Sequence, residues 1–121
     1  MSNKVIINLA TGLEDAERVT VAFLVGVSAA ERGQPVRTFV TKEAVRLALK
    51  DGVIGVACDG CPPLPDLAQR YAAAGGLLQV CPVCFNARKL DQADLVENAE
   101  VAGAVPLFEW LEGEAGTVFS Y

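Results

Sequence analysis

Residues 4–33 read KVIINLATGLEDAERVTVAFLVGVSAAERG. Val5 to Leu9 is a near-continuous run rich in β-branched residues, the pattern of a strand covered on both faces. Thr11-Gly12-Leu13-Glu14 matches a capping box, and Glu14, Asp15 and Glu17 sit where acidic groups favour a helix N-terminus. The helix that follows is apolar nearly all round from Val19 to Ala30, so deep burial is expected. Arg32-Gly33 ends it, because glycine accepts the left-handed conformation of a helix stop. A buried strand leading through a capped turn into a buried helix is the opening of an α/β unit.

The rest of the chain repeats that alternation. Pro35 to Val40 reads as a second strand, and Thr41 is expected to cap a short helix ending near Lys50. The stretch from Asp51 to Ala57 is ambiguous, since Val53, Ile54 and Val56 favour a strand while Gly52 and Gly55 favour a loop. Pro62, Pro63 and Pro65 mark a helix start, where a missing N–H costs nothing. Leu64, Leu67, Ala68 and Tyr71 form one face of that helix, and Gly75-Gly76 stops it. Leu77 to Cys81 is a third clear strand, followed by a short helix from Pro82 to Lys89 and an acidic connection holding Asp91 and Asp94. Glu100 to Ala102 reads as a brief strand, Pro106 to Gly113 as a helix and Thr117 to Tyr121 as a last strand. Strands alternating with helices imply a parallel sheet with helices on both faces. The expectation is one α/β domain over residues 1–121, a three-layer α/β/α sandwich with a mostly parallel sheet of about five strands, flavodoxin-like.

Composition narrows the function. The chain has 121 residues, 52% hydrophobic and 21% charged, which excludes disorder. A net charge of −5 without a basic run makes nucleic acid and anionic membrane poor partners. No histidine is present, so Ser-His-Asp and Cys-His catalysis and all His-ligated metal sites are excluded. The longest apolar stretch, Val19 to Ala30, is too short to span a bilayer, and the N-terminus does not read as a signal peptide. A cytoplasmic protein is expected. Its mean hydropathy of +0.35 suggests an oligomer that hides part of its apolar surface.

Four cysteines carry the chemical interest. They form two pairs, Cys58-Asp59-Gly60-Cys61 and Cys81-Pro82-Val83-Cys84. In a chain without an export signal they point to metal binding or thiol chemistry rather than a disulfide framework. The helix from Leu64 to Ala74 runs about 16 Å, and the strand to Cys81 returns roughly that distance, so Cys81 is expected beside Cys61 at the strand C-terminal rim. All four sulfurs would then share one site. The spacing Cys-x2-Cys-x19-Cys-x2-Cys lies within the range of an all-cysteine zinc site, although a chain with this much core does not need a metal to fold. Alternatively, Cys81 at a strand end before a helix receives backbone N–H groups that favour its thiolate. Cys84, one turn on, is then placed to form a disulfide with it. Arg88 and Lys89 add positive charge, expected at the far end of the short helix.

The arrangement KVIINLATGLEDAERV, then a long buried helix, then GCPPLPDLAQRYAAAGGLLQVCPVCFNAR over residues 60–88 and GTVFSY at 116–121 resembles the DsrE/DsrF-like proteins over essentially the whole chain. The resemblance implies a parallel five-stranded DsrE-like fold, homo-oligomers such as trimers or hexamers, protein sulfur donors and acceptors, and relay of sulfur through a cysteine persulfide. The relay cysteine follows the central strand and precedes a helix bearing basic residues, and Cys81 is the matching position. A sulfur carrier or sulfurtransferase without a cofactor is the first expectation, with Cys81 and Cys84 at the centre and Cys58, Cys61, Arg88 and Lys89 in support. Cys84 and the Cys58/Cys61 pair depart from simpler family members. They keep open a structural zinc site on Cys58, Cys61, Cys81 and Cys84, and a dithiol–disulfide oxidoreductase using Cys81 and Cys84.

The remaining motifs are bland. Thr11-Gly12 has no glycine-rich phosphate pattern around it and reads as a helix start. Asp91, Asp94 and Glu97 read as a solvated face. Phe108, Trp110 and Leu111 read as core or subunit contact, and no residue offers a general base near neutral pH, which favours transfer between sulfurs over hydrolysis.

Overall fold

The computed structural model describes residues 3–121. Its strands are β1 (Val5–Leu9), β2 (Val36–Val40), β3 (Leu77–Val80), β4 (Ala99–Val101) and β5 (Thr117–Ser120). They form one sheet in the order β4-β3-β2-β1-β5, and every pairing is parallel. The α-helices are α1 (Ala16–Glu31), α2 (Leu64–Ala73), α3 (Pro82–Ala87) and α4 (Ala104–Leu111). All strands point the same way, so each strand-to-helix turn lies on one C-terminal edge, where open α/β sheets place their ligands.

Side chains alternate between the two faces of the sheet. Val5, Ile7 and Leu9 of β1, Val36, Thr38 and Val40 of β2, and Leu78 and Val80 of β3 are all buried. They face α1 and α2, which pack on each other. The opposite face carries Arg37 and Gln79 and is covered by α4, where the Trp110 ring receives the cations of Arg37 and Lys4. The three-layer expectation holds, but the two outer layers are unequal. No residue of α4 is buried, and Phe108 stays 71% exposed.

Several local expectations are revised. The N-cap of α1 is Asp15, whose side chain accepts from the Arg18 N–H. Thr11 is not the cap, because a 3-10 turn over Leu13–Asp15 intervenes. Glu14 instead accepts from the N–H of Gly12. Helix α1 is not buried all round, since Val21, Leu24 and Ser28 are exposed. The short helix after β2 is a 3-10 helix, Lys42–Ala48, without a side-chain cap from Thr41. Residues 51–57 form turns and loop rather than a strand.

Tyr71 of α2 joins the main elements. It is 1% exposed; its hydroxyl accepts from Thr38 Oγ1 at 2.8 Å and donates to the Leu77 carbonyl at 2.7 Å. Its ring meets Phe23 of α1 edge-on, with centroids 5.9 Å apart. A Cβ at Gly76 would overlap that ring, so the turn into β3 can close only with glycine there. Burial pushes the Tyr71 phenol up to about 12, against an ordinary value of 10.0. A raised value means the stability it carries is present below the unfolded value and is lost as pH climbs through the folded one. Thermal melts should therefore fall between pH 10 and about 12. Tyr71→Phe should remove most of that alkaline decline. At neutral pH it should cost about 1–3 kcal/mol, because Thr38 and the Leu77 carbonyl lose a buried partner.

Candidate functional site

Cys81 is the N-cap of α3, with extended backbone at φ −60° and ψ 119°. Its N–H donates to the Val40 carbonyl at 3.1 Å, which continues the β2–β3 ladder by one step. Its own carbonyl accepts from the Phe85 N–H and starts the helix. Pro82 takes the first helical position, where it costs no backbone bond. Phe85 is buried and anchors the short helix to the core. Cys84 lies one turn after Cys81; both are half-buried and free as thiols. The N-cap and third helical positions bring the two residues to one end of the helix. The resemblance points to a cysteine after the central strand; Cys81 follows β3, an inner strand between β2 and β4, while β2 is the middle one.

The expectation that all four sulfurs share one site is not met. Cys58 and Cys61 are bonded to each other, with Cα atoms 5.2 Å apart. A tight turn causes this: the Cys61 N–H donates to the Cys58 carbonyl at 3.0 Å. Gly60 at φ 76° supplies the positive φ that the third residue of such a turn needs. Cys58 Sγ lies 3.8 Å from Thr20 Oγ1, so this pair rests on α1, whereas α3 packs on the 3-10 helix 42–48. Among the described residues no group of three or more His, Cys, Asp or Glu side chains is placed to hold a metal ion. The tetrahedral set of Cys58, Cys61, Cys81 and Cys84 is therefore not assembled, and it would need the Cys58–Cys61 bond opened as well.

Arg88 is the C-cap of α3, at the far end of the short helix as expected. Its side chain folds back, and Nη1 donates to the Cys84 carbonyl at 3.2 Å. Nε donates to Glu43, whose other oxygen accepts from Arg46 at 2.9 Å. The hydrogen bond from Arg88, followed by that from Arg46, holds the Glu43 carboxyl below its usual range. The Arg88 charge is thus partly answered before any substrate arrives. Lys89 is exposed, with its backbone in the left-handed region at φ 55°.

Two functional neighbours escaped the sequence reading. Glu43 joins Arg88 across 45 positions, and no local pattern announces such a pair. Gln79 did leave a trace, as the one polar residue in the strand Leu77–Val80. It is fully buried. Its amide nitrogen donates to the Gly103 carbonyl at 2.8 Å, and its oxygen accepts from Arg37 at 2.8 Å. A side chain at Gly103 would just reach the ring of Pro82, so the β4–α4 turn lies near the first turn of α3. Asp91, Asp94 and Glu97 are exposed, and among the described residues no helix is long and apolar enough to cross a membrane.

Comparison with known proteins agrees with this geometry. An uncharacterised protein from Methanopyrus kandleri is 26% identical over 103 residues, covering 85% of this chain and 82% of its own. Among solved structures, the ychN protein from E. coli superposes with a TM-score of 0.76 at 17% identity, over the full length of both chains. A protein of unknown function from Methanobacterium thermoautotrophicum superposes with a TM-score of 0.70 at 12% identity, covering 99% of this chain and 100% of that one. These likenesses establish the fold. The family model for DsrE/DsrF-like proteins matches residues 3–118, and the chain belongs to that family.

Proposed function

We propose that the protein is a sulfur carrier that holds sulfane sulfur as a persulfide on Cys81. The observation that supports this most is the position of Cys81 itself. It is a free, half-exposed thiol at the strand-to-helix turn on the C-terminal edge of the sheet, in a chain of the DsrE/DsrF-like family, for which sulfur relay is the coarse functional expectation. In the loading step the Cys81 thiolate attacks the outer sulfur of a donor persulfide. A new S–S bond forms on Cys81, and the donor leaves as a thiol after taking up a proton. In the delivery step an acceptor thiolate attacks the outer sulfur and restores the Cys81 thiolate. Sulfur is the cargo, and no resident cofactor takes part. The setting we assign is the cytoplasm.

Cys84 gives the site a second outcome. Attack of its thiolate on the Cys81 sulfur would expel sulfide and leave a Cys81–Cys84 disulfide. A carrier with this neighbour must hand over its sulfur before the second thiol acts. We also assign a homo-oligomer as the working form. Val105, Phe108 and Val118 are large exposed hydrophobics on α4 and the edge strand β5, all four β5 residues are exposed, and such a surface fits a second copy of the chain.

Two expected outcomes follow. Incubation with a sulfane-sulfur donor should add one sulfur atom to Cys81 by mass spectrometry of its peptide, and Cys81→Ser should abolish the addition. Undiminished loading of Cys81→Ser would refute the assignment. Cys84→Ser should load normally and keep the persulfide longer, since the thiol that expels sulfide is gone. For assembly, sedimentation should give a mass well above 12.7 kDa. Phe108→Glu should lower it while the circular dichroism of the folded chain is retained.

A further inference from the structure

The edge beside Cys81 has a charge opposite to that of the whole protein. Arg46 and Arg88 share the carboxylate of Glu43 there, with Lys42 and Lys89 next to them in the chain and the carboxylates of Glu14 and Asp91 nearby. Arg88 also donates to the carbonyl of Cys84, which ties the cluster to α3. Four cations against the carboxylates of Glu43, Glu14 and Asp91 leave a local charge of +1 on a chain of net charge −5. The other six cations are outnumbered by twelve carboxylates, so this edge stands apart. Asp91, two residues past Lys89, holds the N–H of Ala93 in the next turn.

The arrangement suits a macromolecule better than a small anion. A bound oxyanion wants convergent donors, and bidentate guanidinium contacts serve it best. Here the two guanidiniums already share Glu43, and that carboxylate would repel a small dianion settling between them. The lysines are exposed on either side of it, and both hold the left-handed backbone at φ 55°. Val83, 75% exposed, stands between the two cysteines and offers apolar contact at the same place. Spread cations around an apolar tip match a polypeptide with spaced carboxylates.

Resting on the carrier reading, we propose that this edge is the docking surface for an acidic segment of the protein that exchanges sulfur with Cys81. Opposite charge steers encounter and sets orientation, so the acceptor thiol would arrive flanked by Asp or Glu.

The test uses three synthetic peptides, each with one cysteine activated as a mixed disulfide with thionitrobenzoate and flanked by Glu, Gln or Lys. Attack by the Cys81 thiolate forms a Cys81–peptide disulfide and releases the thionitrobenzoate anion, whose colour reports the first step. The protein's net charge would favour the Lys peptide. The docking surface requires the reverse, with the Glu peptide about tenfold faster than the Lys peptide at low salt. That ratio should fall towards one at about 0.5 M sodium chloride, where screening shortens the reach of each charge to a few ångströms. Lys42→Glu combined with Lys89→Glu should invert the preference, each peptide rate being divided by the same variant's rate with neutral 2,2′-dithiodipyridine so that a change in thiol reactivity cancels. If the variant fails to fold, the salt dependence of the wild-type ratio decides alone. A Lys peptide as fast as the Glu peptide at low salt would overturn the proposal, as would a preference untouched by the folded double variant. A preference abolished by thiosulfate but not by chloride of equal ionic strength would overturn it in favour of a small-anion site. Loss of sulfur loading with the peptide preference intact would remove the carrier reading and leave the docking surface standing. Normal loading without preference would remove the docking surface alone.

Discussion

The buried phenol of Tyr71 is the constraint on which the rest depends. It belongs to α2, yet it is hydrogen-bonded to β2 through Thr38 and to the start of β3 through Leu77. Its ring rests on Phe23 of α1. One side chain therefore sets α2 against the sheet, the entry of β3 and the seat of α1. Because β3 leads directly into Cys81, the clamp at one end of the strand determines where the thiol emerges at the other. A side chain at Gly76 would collide with the ring, so the turn before β3 has little freedom to shift the strand register.

At the emerging end, backbone and side chains hold Cys81 from three sides. The Val40 carbonyl receives its N–H, Gln79 ties the strand before it to Gly103, and Arg88 ties α3 to Glu43 of the neighbouring 3-10 helix. The thiol stays partly exposed while its surroundings are fixed. That combination suits a carrier, which must meet a donor and an acceptor in turn without a closed pocket. The Cys58–Cys61 bond is a separate feature. It closes a turn packed on α1 near Thr20.

Where physical pattern is local, the fold was legible. The β-branched run Val5–Leu9, the stop at Arg32-Gly33, the proline-marked start of α2 and the Cys81-Pro82 helix start all depend on residues a few positions apart. The misreadings came where tertiary contacts overrode local chemistry. Thr11 lost the cap of α1 to Asp15 because a 3-10 turn shifted the helix start. The four-cysteine site failed because equal lengths for α2 and β3 fix only a height along the sheet. They say nothing of sideways position, and the turn at Gly60 drew Cys58 and Cys61 to each other and towards α1. Cys81 itself was visible as a strand-end cysteine before a helix-starting proline. Glu43 and Gly103 were not, because they reach Arg88 and Gln79 from 45 and 24 positions away in the chain.

The most direct test of a carrier follows the sulfur after loading. Protein loaded at Cys81 with isotopically labelled sulfane sulfur, freed of donor by gel filtration, is mixed with reduced glutathione and quenched by alkylation. The expected result is labelled glutathione persulfide together with Cys81 returned to its free thiol. Release of the label wholly as sulfide, with a Cys81–Cys84 disulfide left on the protein, would contradict carriage and show a dithiol reductase in its place.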